Sequence, residues 1–221
     1  MLTKKQYQKE AEPLLRQIFV TDEMPEERED GEEMPEYRVF APSVAGRILL
    51  YPSDGYVAYP LSEVLVAAAA KLGDSACYVS EHNTFYGDKA LNLYIPLSEF
   101  LSVYIEPGSQ NIEERFKSML APDHFVYSCQ GQWAIRMTSH GYRGYALLGG
   151  SREFTEEITK SYPEIDQQVY EFLEYWQREK EYMLSVGETV YVSDESWFSK
   201  VLTHVYGEEA AARMLQETGL P

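Results

Sequence analysis

His124-Phe-Val-Tyr-Ser-Cys-Gln-Gly-Gln-Trp-Ala-Ile-Arg-Met-Thr138 is the stretch on which the fold turns. Aromatic, β-branched and small residues alternate on both sides of a Gly-containing turn, the pattern of a β-hairpin. Two registers compete. A two-residue loop at Gln130-Gly131 pairs Cys129 with Gln132 and Tyr127 with Ala134, mixing polar and apolar side chains on both faces. A three-residue loop from Gln130 to Gln132 pairs Cys129 with Trp133, Tyr127 with Ile135 and Phe125 with Met137. That second register gathers one apolar face and leaves Val126, Ser128, Ala134 and Arg136 on the other. A sheet with one buried face selects it, because a one-residue slip moves every side chain to the wrong side.

Beyond the hairpin, the small-residue loop Ser139-His140-Gly141 leads to a third strand over Tyr145 to Leu148, closed by Gly149-Gly150. Ser151 is a helix N-cap, Phe154, Ile158 and Tyr162 share one helical stripe, and Pro163 stops that helix or restarts the next. Past Pro163 a longer helix carries Ile165, Val169, Phe172, Trp176 and Met183. A helix bearing Trp197, Val201 and Val205 follows, broken at Gly207, and a last one runs from Glu208 to Thr218. A short edge strand is expected at Tyr191 and Val192.

Towards the N-terminus, residues 3 to 19 read as a helix capped by Thr3, with Tyr7, Ala11, Leu14, Leu15 and Ile18 on one face and Pro13 dividing it. Thr21 to Glu36 is different: nine acids stand against the single base Arg28, with too few apolar residues to order the chain, so it reads as a solvated linker or loop. Tyr37 to Ala41, Arg47 to Tyr51 and Tyr56 to Tyr59 read as short strands, and an Ala-rich helix opens at Pro60 and ends near Gly73. Cys77 to Ser80 is a further strand, and Ile112 to Leu120 a short helix. Pro60-Leu-Ser-Glu-Val-Leu returns as Pro96-Leu-Ser-Glu-Phe-Leu, which marks a repeated strand-to-helix turn rather than a duplicated domain. The predicted organisation is an N-terminal helix over 1–20, an acidic segment over 21–36, and one α+β domain over 37–221. Its antiparallel sheet has the 124–138 hairpin at its centre and helices over it, and the C-terminal third is mainly helical.

The chain has 221 residues, 44% hydrophobic and 14% aromatic, enough for a sizeable core. Its formal charge is −17, from 36 acids and 19 bases. That balance disfavours nucleic acid and anionic membranes, which need clustered Lys and Arg, and points to a basic protein partner. The longest aliphatic stretch, Val64 to Ala70, is too short to cross a bilayer, and two cysteines do not make a disulfide framework. A cytoplasmic chain with reduced, buried thiols is the expectation.

Chemistry-bearing motifs are sparse. No Cys-x-x-Cys or His-x-x-x-His spacing is present, and no metal or cofactor is expected. Leu148-Gly-Gly-Ser151 has the outline of a phosphate-binding turn, but Glu153, Glu156 and Glu157 crowd the helix start with like charge. Two functional readings follow. The leading one is a non-catalytic acidic interaction protein, such as an antagonist or inhibitor of a basic nuclease, binding through Glu26, Glu27, Glu29 and Asp30 and through the loop residues His140, Tyr142 and Arg143. The alternative is a small hydrolase with Cys129 as nucleophile or His140 as base.

Overall fold

A computed structural model describes residues 1–19, 40–53, 59–81, 91–104, 124–138, 144–187 and 195–218. Six strands form one sheet: β1 (Gly46–Ser53), β2 (Ala76–Glu81), β3 (Asn92–Pro96), β4 (His124–Ser128), β5 (Trp133–Thr138) and β6 (Gly144–Gly150). Their order is β1-β6-β5-β4-β2-β3, with every neighbouring pair antiparallel. The α+β expectation holds, and the 124–138 hairpin supplies the two central strands.

Its register does not hold. His124 faces Met137, Phe125 faces Arg136, Val126 faces Ile135 and Tyr127 faces Ala134, the alignment that goes with Tyr127 opposite Ala134 rather than Ile135. The selection of register assumed one dry face, whereas this sheet is covered on both. Phe125, Tyr127 and Ala134 belong to one apolar cluster, and Val126, Trp133, Ile135 and Met137 to the other. Where both faces are buried, an apolar run carries no alternation by which to choose its pairing. Cys129 and Trp133 are therefore not cross-strand partners on a shared face. Arg136, expected on the face opposite the apolar one, is only 3% exposed.

The first face is covered by the N-terminal helix and by the three C-terminal helices. The former comprises α1 (Lys4–Gln6), a π-helical turn (Tyr7–Ala11) and α2 (Glu12–Ile18). Thr3 caps it in a reciprocal box with Gln6. The π turn ends two residues before Pro13, which has no N–H to donate and whose ring crowds the carbonyl four residues back, so the turn ahead of it widens. Tyr7, Ala11, Leu15 and Ile18 pack on the sheet with Val169 and Phe172 of α6 (Gln168–Ser185), Val201 and Leu202 of α7 (Glu195–Tyr206), and Met214 and Leu215 of α8 (Glu208–Thr218). Gly207, at φ +85°, breaks α7 from α8 as the sequence predicts.

The second face carries α3 (Tyr59–Lys71), α4 (Leu97–Tyr104) and α5 (Arg152–Ser161), through Leu61, Leu65, Phe100, Phe154 and Ile158 among others. Leu61 and Leu97, each following the proline of the echoed motif, point into this same cluster. Ser151 caps α5 by accepting from the Phe154 N–H. Pro163 then starts a 3₁₀ turn (Pro163–Gln167), across which the chain passes from the second face to the first beside β1, which both α5 and α6 contact. β1 is an edge strand, and side chains from the first-face helices meet its backbone: Leu49 N–H donates to the Tyr206 hydroxyl at 3.2 Å and Tyr51 N–H to Gln168 Oε1 at 2.9 Å.

Of the strand expected over Tyr37 to Ala41, Phe40 forms a single bridge to Phe19. Tyr59, expected to end a strand, opens α3 instead. The acidic stretch 21–36, the helix 112–120, the remainder of the strand 56–59 and the edge strand at Tyr191 and Val192 lie outside the described residues.

Candidate functional site

Of the residues that the sequence put forward, Cys129 alone is described; Glu26, Glu27, Glu29, Asp30, His140, Tyr142 and Arg143 lie outside the described residues. Cys129 sits at the turn end of the hairpin, half-buried, and its thiol donates to Asp74 Oδ1 at 3.3 Å. The geometry there is set by α3. Its C-terminus closes at Gly73, where φ is +88°, and Asp74 N–H returns to the carbonyl of Ala69. Only glycine adopts that conformation without strain, and the reversal turns the next side chain inward.

Asp74 is 5% exposed and has three side-chain donors. Ser128 Oγ reaches both carboxylate oxygens at 2.9 and 2.8 Å, Trp133 Nε1 donates at 2.7 Å, and the Cys129 thiol completes the set. Gln130 Nε2 adds a bond to the Gly73 carbonyl at 2.6 Å. A buried carboxylate holding several hydrogen bonds is an anchor, here tying the hairpin turn to the end of α3. Burial first, and then the hydrogen bond to Asp74, push the Cys129 thiol up from its usual range. The thiol is a donor held in its neutral form, the reverse of the lowered pKa that a nucleophilic cysteine needs. Cys77, fully buried, is pushed up further, by burial and then by the nearby charge of Asp74.

At the opposite end of the hairpin, the cross-strand pair Glu81 and His124 is buried beside α4. His124 Nε2 lies 2.8 Å from the Tyr104 hydroxyl, and Glu81 Oε2 accepts from the Leu91 N–H at 2.8 Å. Glu81 and His124 are thus backbone neighbours, and of their side chains His124 meets the Tyr104 phenol while Glu81 holds a main-chain N–H. The sequence did not single out these residues, because they come from three elements spread over residues 81 to 124.

Arg136 stands on the other face near that same end, flanked in register by Phe125 and Leu147. Its Nε and Nη1 are shielded from solvent and have no hydrogen-bond partner among the described residues. Arg47, on the same face, is engaged by the His204 carbonyl at 2.6 Å and the Ala41 carbonyl at 3.4 Å. Among the described residues no three His, Cys, Asp or Glu side chains converge as a metal site, and no helix is long and apolar enough to cross a membrane. Compared with protein-family models, curated proteins and solved structures, the chain matches none.

Proposed function

We propose that this chain is a non-catalytic interaction protein that binds a basic protein partner, in the manner of an antagonist or inhibitor of a basic enzyme such as a nuclease. The observation that carries the reading is the charge of −17, together with where part of it sits. Residues 152–181 hold nine acids against four bases, and at the end of that run Tyr182, Leu184 and Val186 are 60%, 50% and 54% exposed. Exposed apolar side chains at the end of an acidic helix suit a partner that brings both Lys or Arg and apolar groups. The neutral, hydrogen-bonded thiol of Cys129 supports the same reading, since it withholds the nucleophile of the alternative hydrolase.

Affinity capture on the full chain, followed by association kinetics with each captured protein, tests the proposal. The expected partner is basic, its association rate falls steeply as salt rises, and its dissociation rate changes less. Tyr182→Ser with Leu184→Ser speeds dissociation, whereas reversing Glu26, Glu27, Glu29 and Asp30 to Lys slows association. A partner of neutral or acidic charge, or an association rate indifferent to salt, rules the reading out.

A further inference from the structure

We propose that His204 is an acid-sensitive latch: protonation of its ring releases residues 40 and 41, which join the end of the N-terminal helix to the sheet, from α7. Both ring nitrogens face donors. His204 Nε2 accepts the Phe40 N–H at 3.1 Å, and Nδ1 lies 3.3 Å from Arg47 Nη1. Neither donor can change its role, since a backbone N–H only donates and a guanidinium keeps its proton. A neutral imidazole has one bare nitrogen with which to receive the Phe40 N–H, and the partner fixes it as Nε2. An imidazolium has none. Protonation therefore sets N–H against N–H at Phe40 and places a second cation beside Arg47.

The charges around the ring point the same way. Among the described residues, α7 packs on β1 and α8. β1 brings Arg47, half-buried and held by the His204 and Ala41 carbonyls rather than by a carboxylate. Lys200 stands one turn earlier on α7 itself, and residues 40–44 carry no charge. α8 brings Glu208, Glu209, Arg213 and Glu217, all exposed, where water and salt screen them. The Phe40 ring lies parallel to the imidazole at 6.2 Å, beyond the roughly 6 Å within which a ring face holds a cation. What the latch secures is the first-face cover. Ala41 N–H donates to the Ile18 carbonyl at 2.8 Å, Phe40 bridges Phe19, and the Phe40 ring occupies the space that a side chain at Gly149 of β6 would need.

The test is an acid titration of the full chain by NMR that follows the His204 ring, the Phe40 amide and the Arg47 Nε–Hε. In the wild type the three signals are expected to move together, with a midpoint between about pH 5 and the value near 6.5 at which a free imidazole titrates. Because the native contacts accept only the neutral ring, their contribution to stability is complete above that range and is lost as pH falls through the folded midpoint. His204→Gln has a side-chain oxygen that accepts from Phe40 and takes up no proton. It should hold the Phe40 amide in place from about pH 7.5 to about pH 5 and remove this part of the fall in the urea midpoint. The proposal is overturned if the ring titrates and the Phe40 amide does not follow, or if the ring stays neutral down to about pH 5. A ring that titrates above a free imidazole also overturns it, because a carboxylate then stabilises the imidazolium. So does an equal loss of stability on acidification in wild type and His204→Gln. Where the variant does not fold, the wild-type titration decides alone.

Discussion

Asp74 and Arg136 are both buried charges on or beside the same hairpin, and the protein treats them in opposite ways. Asp74 at the turn end has Ser128, Cys129 and Trp133 as donors and a glycine reversal that aims it at them. Arg136 at the far end has apolar register neighbours and no hydrogen bond at Nε or Nη1. The first is explained by folding alone: it joins a helix terminus to a turn more than fifty residues later in the chain. The second adds nothing to folding that an apolar side chain of similar volume would not add better.

The largest effect should come from removing the satisfied charge. Asp74→Ala strands a hydroxyl, an indole N–H and a thiol together, and a loss of about 3–5 kcal/mol in urea unfolding is expected. A loss below about 1 kcal/mol would mean that the donors find other partners and that the anchor is incidental. Arg136→Met should move stability the other way, by about 1–4 kcal/mol. Equal signs for the two variants would erase the contrast between the ends. Trp133→Phe keeps most of the packing on Phe154, whose ring stacks on the indole at 5.5 Å, and removes one charge-assisted bond, so about 1.5–3 kcal/mol should be lost.

The smallest effect concerns Cys129, whose Ser variant can still donate to Asp74 and should stay within about 1 kcal/mol of the wild type. Its thiol offers a finer reading. Because its folded pKa is raised, the neutral form stabilises the fold below the unfolded thiol's pKa, and that contribution disappears as pH rises through the higher folded value. Alkylation by iodoacetamide near pH 8 should therefore be slow in the native state. Unfolding, or Asp74→Asn, should speed it. Rapid native labelling would return Cys129 to the list of nucleophiles.

Much of the fold was legible because its signals are local. Ser151 before Phe154, the stripe from Val169 to Phe172, and Gly207 between two helices each depend on residues within a turn or two. The hairpin was legible as a hairpin, but its register was not, since Tyr127 and Ile135 are both buried while facing opposite ways. The same assumption of one dry face set Arg136 on the less apolar side, whereas both sides are buried. Asp74 gave no signal at all: it is a single acid after a glycine, and its partners lie beyond position 127. The expected binding residues 26–30 and 140–143 rest on composition, and they lie outside the described residues.

The arrangement at β1 bears on how the chain is made. Its strand partner among the described residues, β6, begins at Gly144, and the side chains that occupy its outer backbone donors, Gln168 and Tyr206, come later still. At translation rates of roughly 5–20 residues per second, about eight to thirty seconds separate the emergence of Ser53 from that of Tyr206. During that interval Arg47-Ile-Leu-Leu-Tyr51 first lacks β6 and then lacks the C-terminal side chains that occupy its outer backbone donors. A ribosome stalled before the last helices would leave a nascent chain that invites pairing with its own copies, so holdase chaperones have their natural point of contact here.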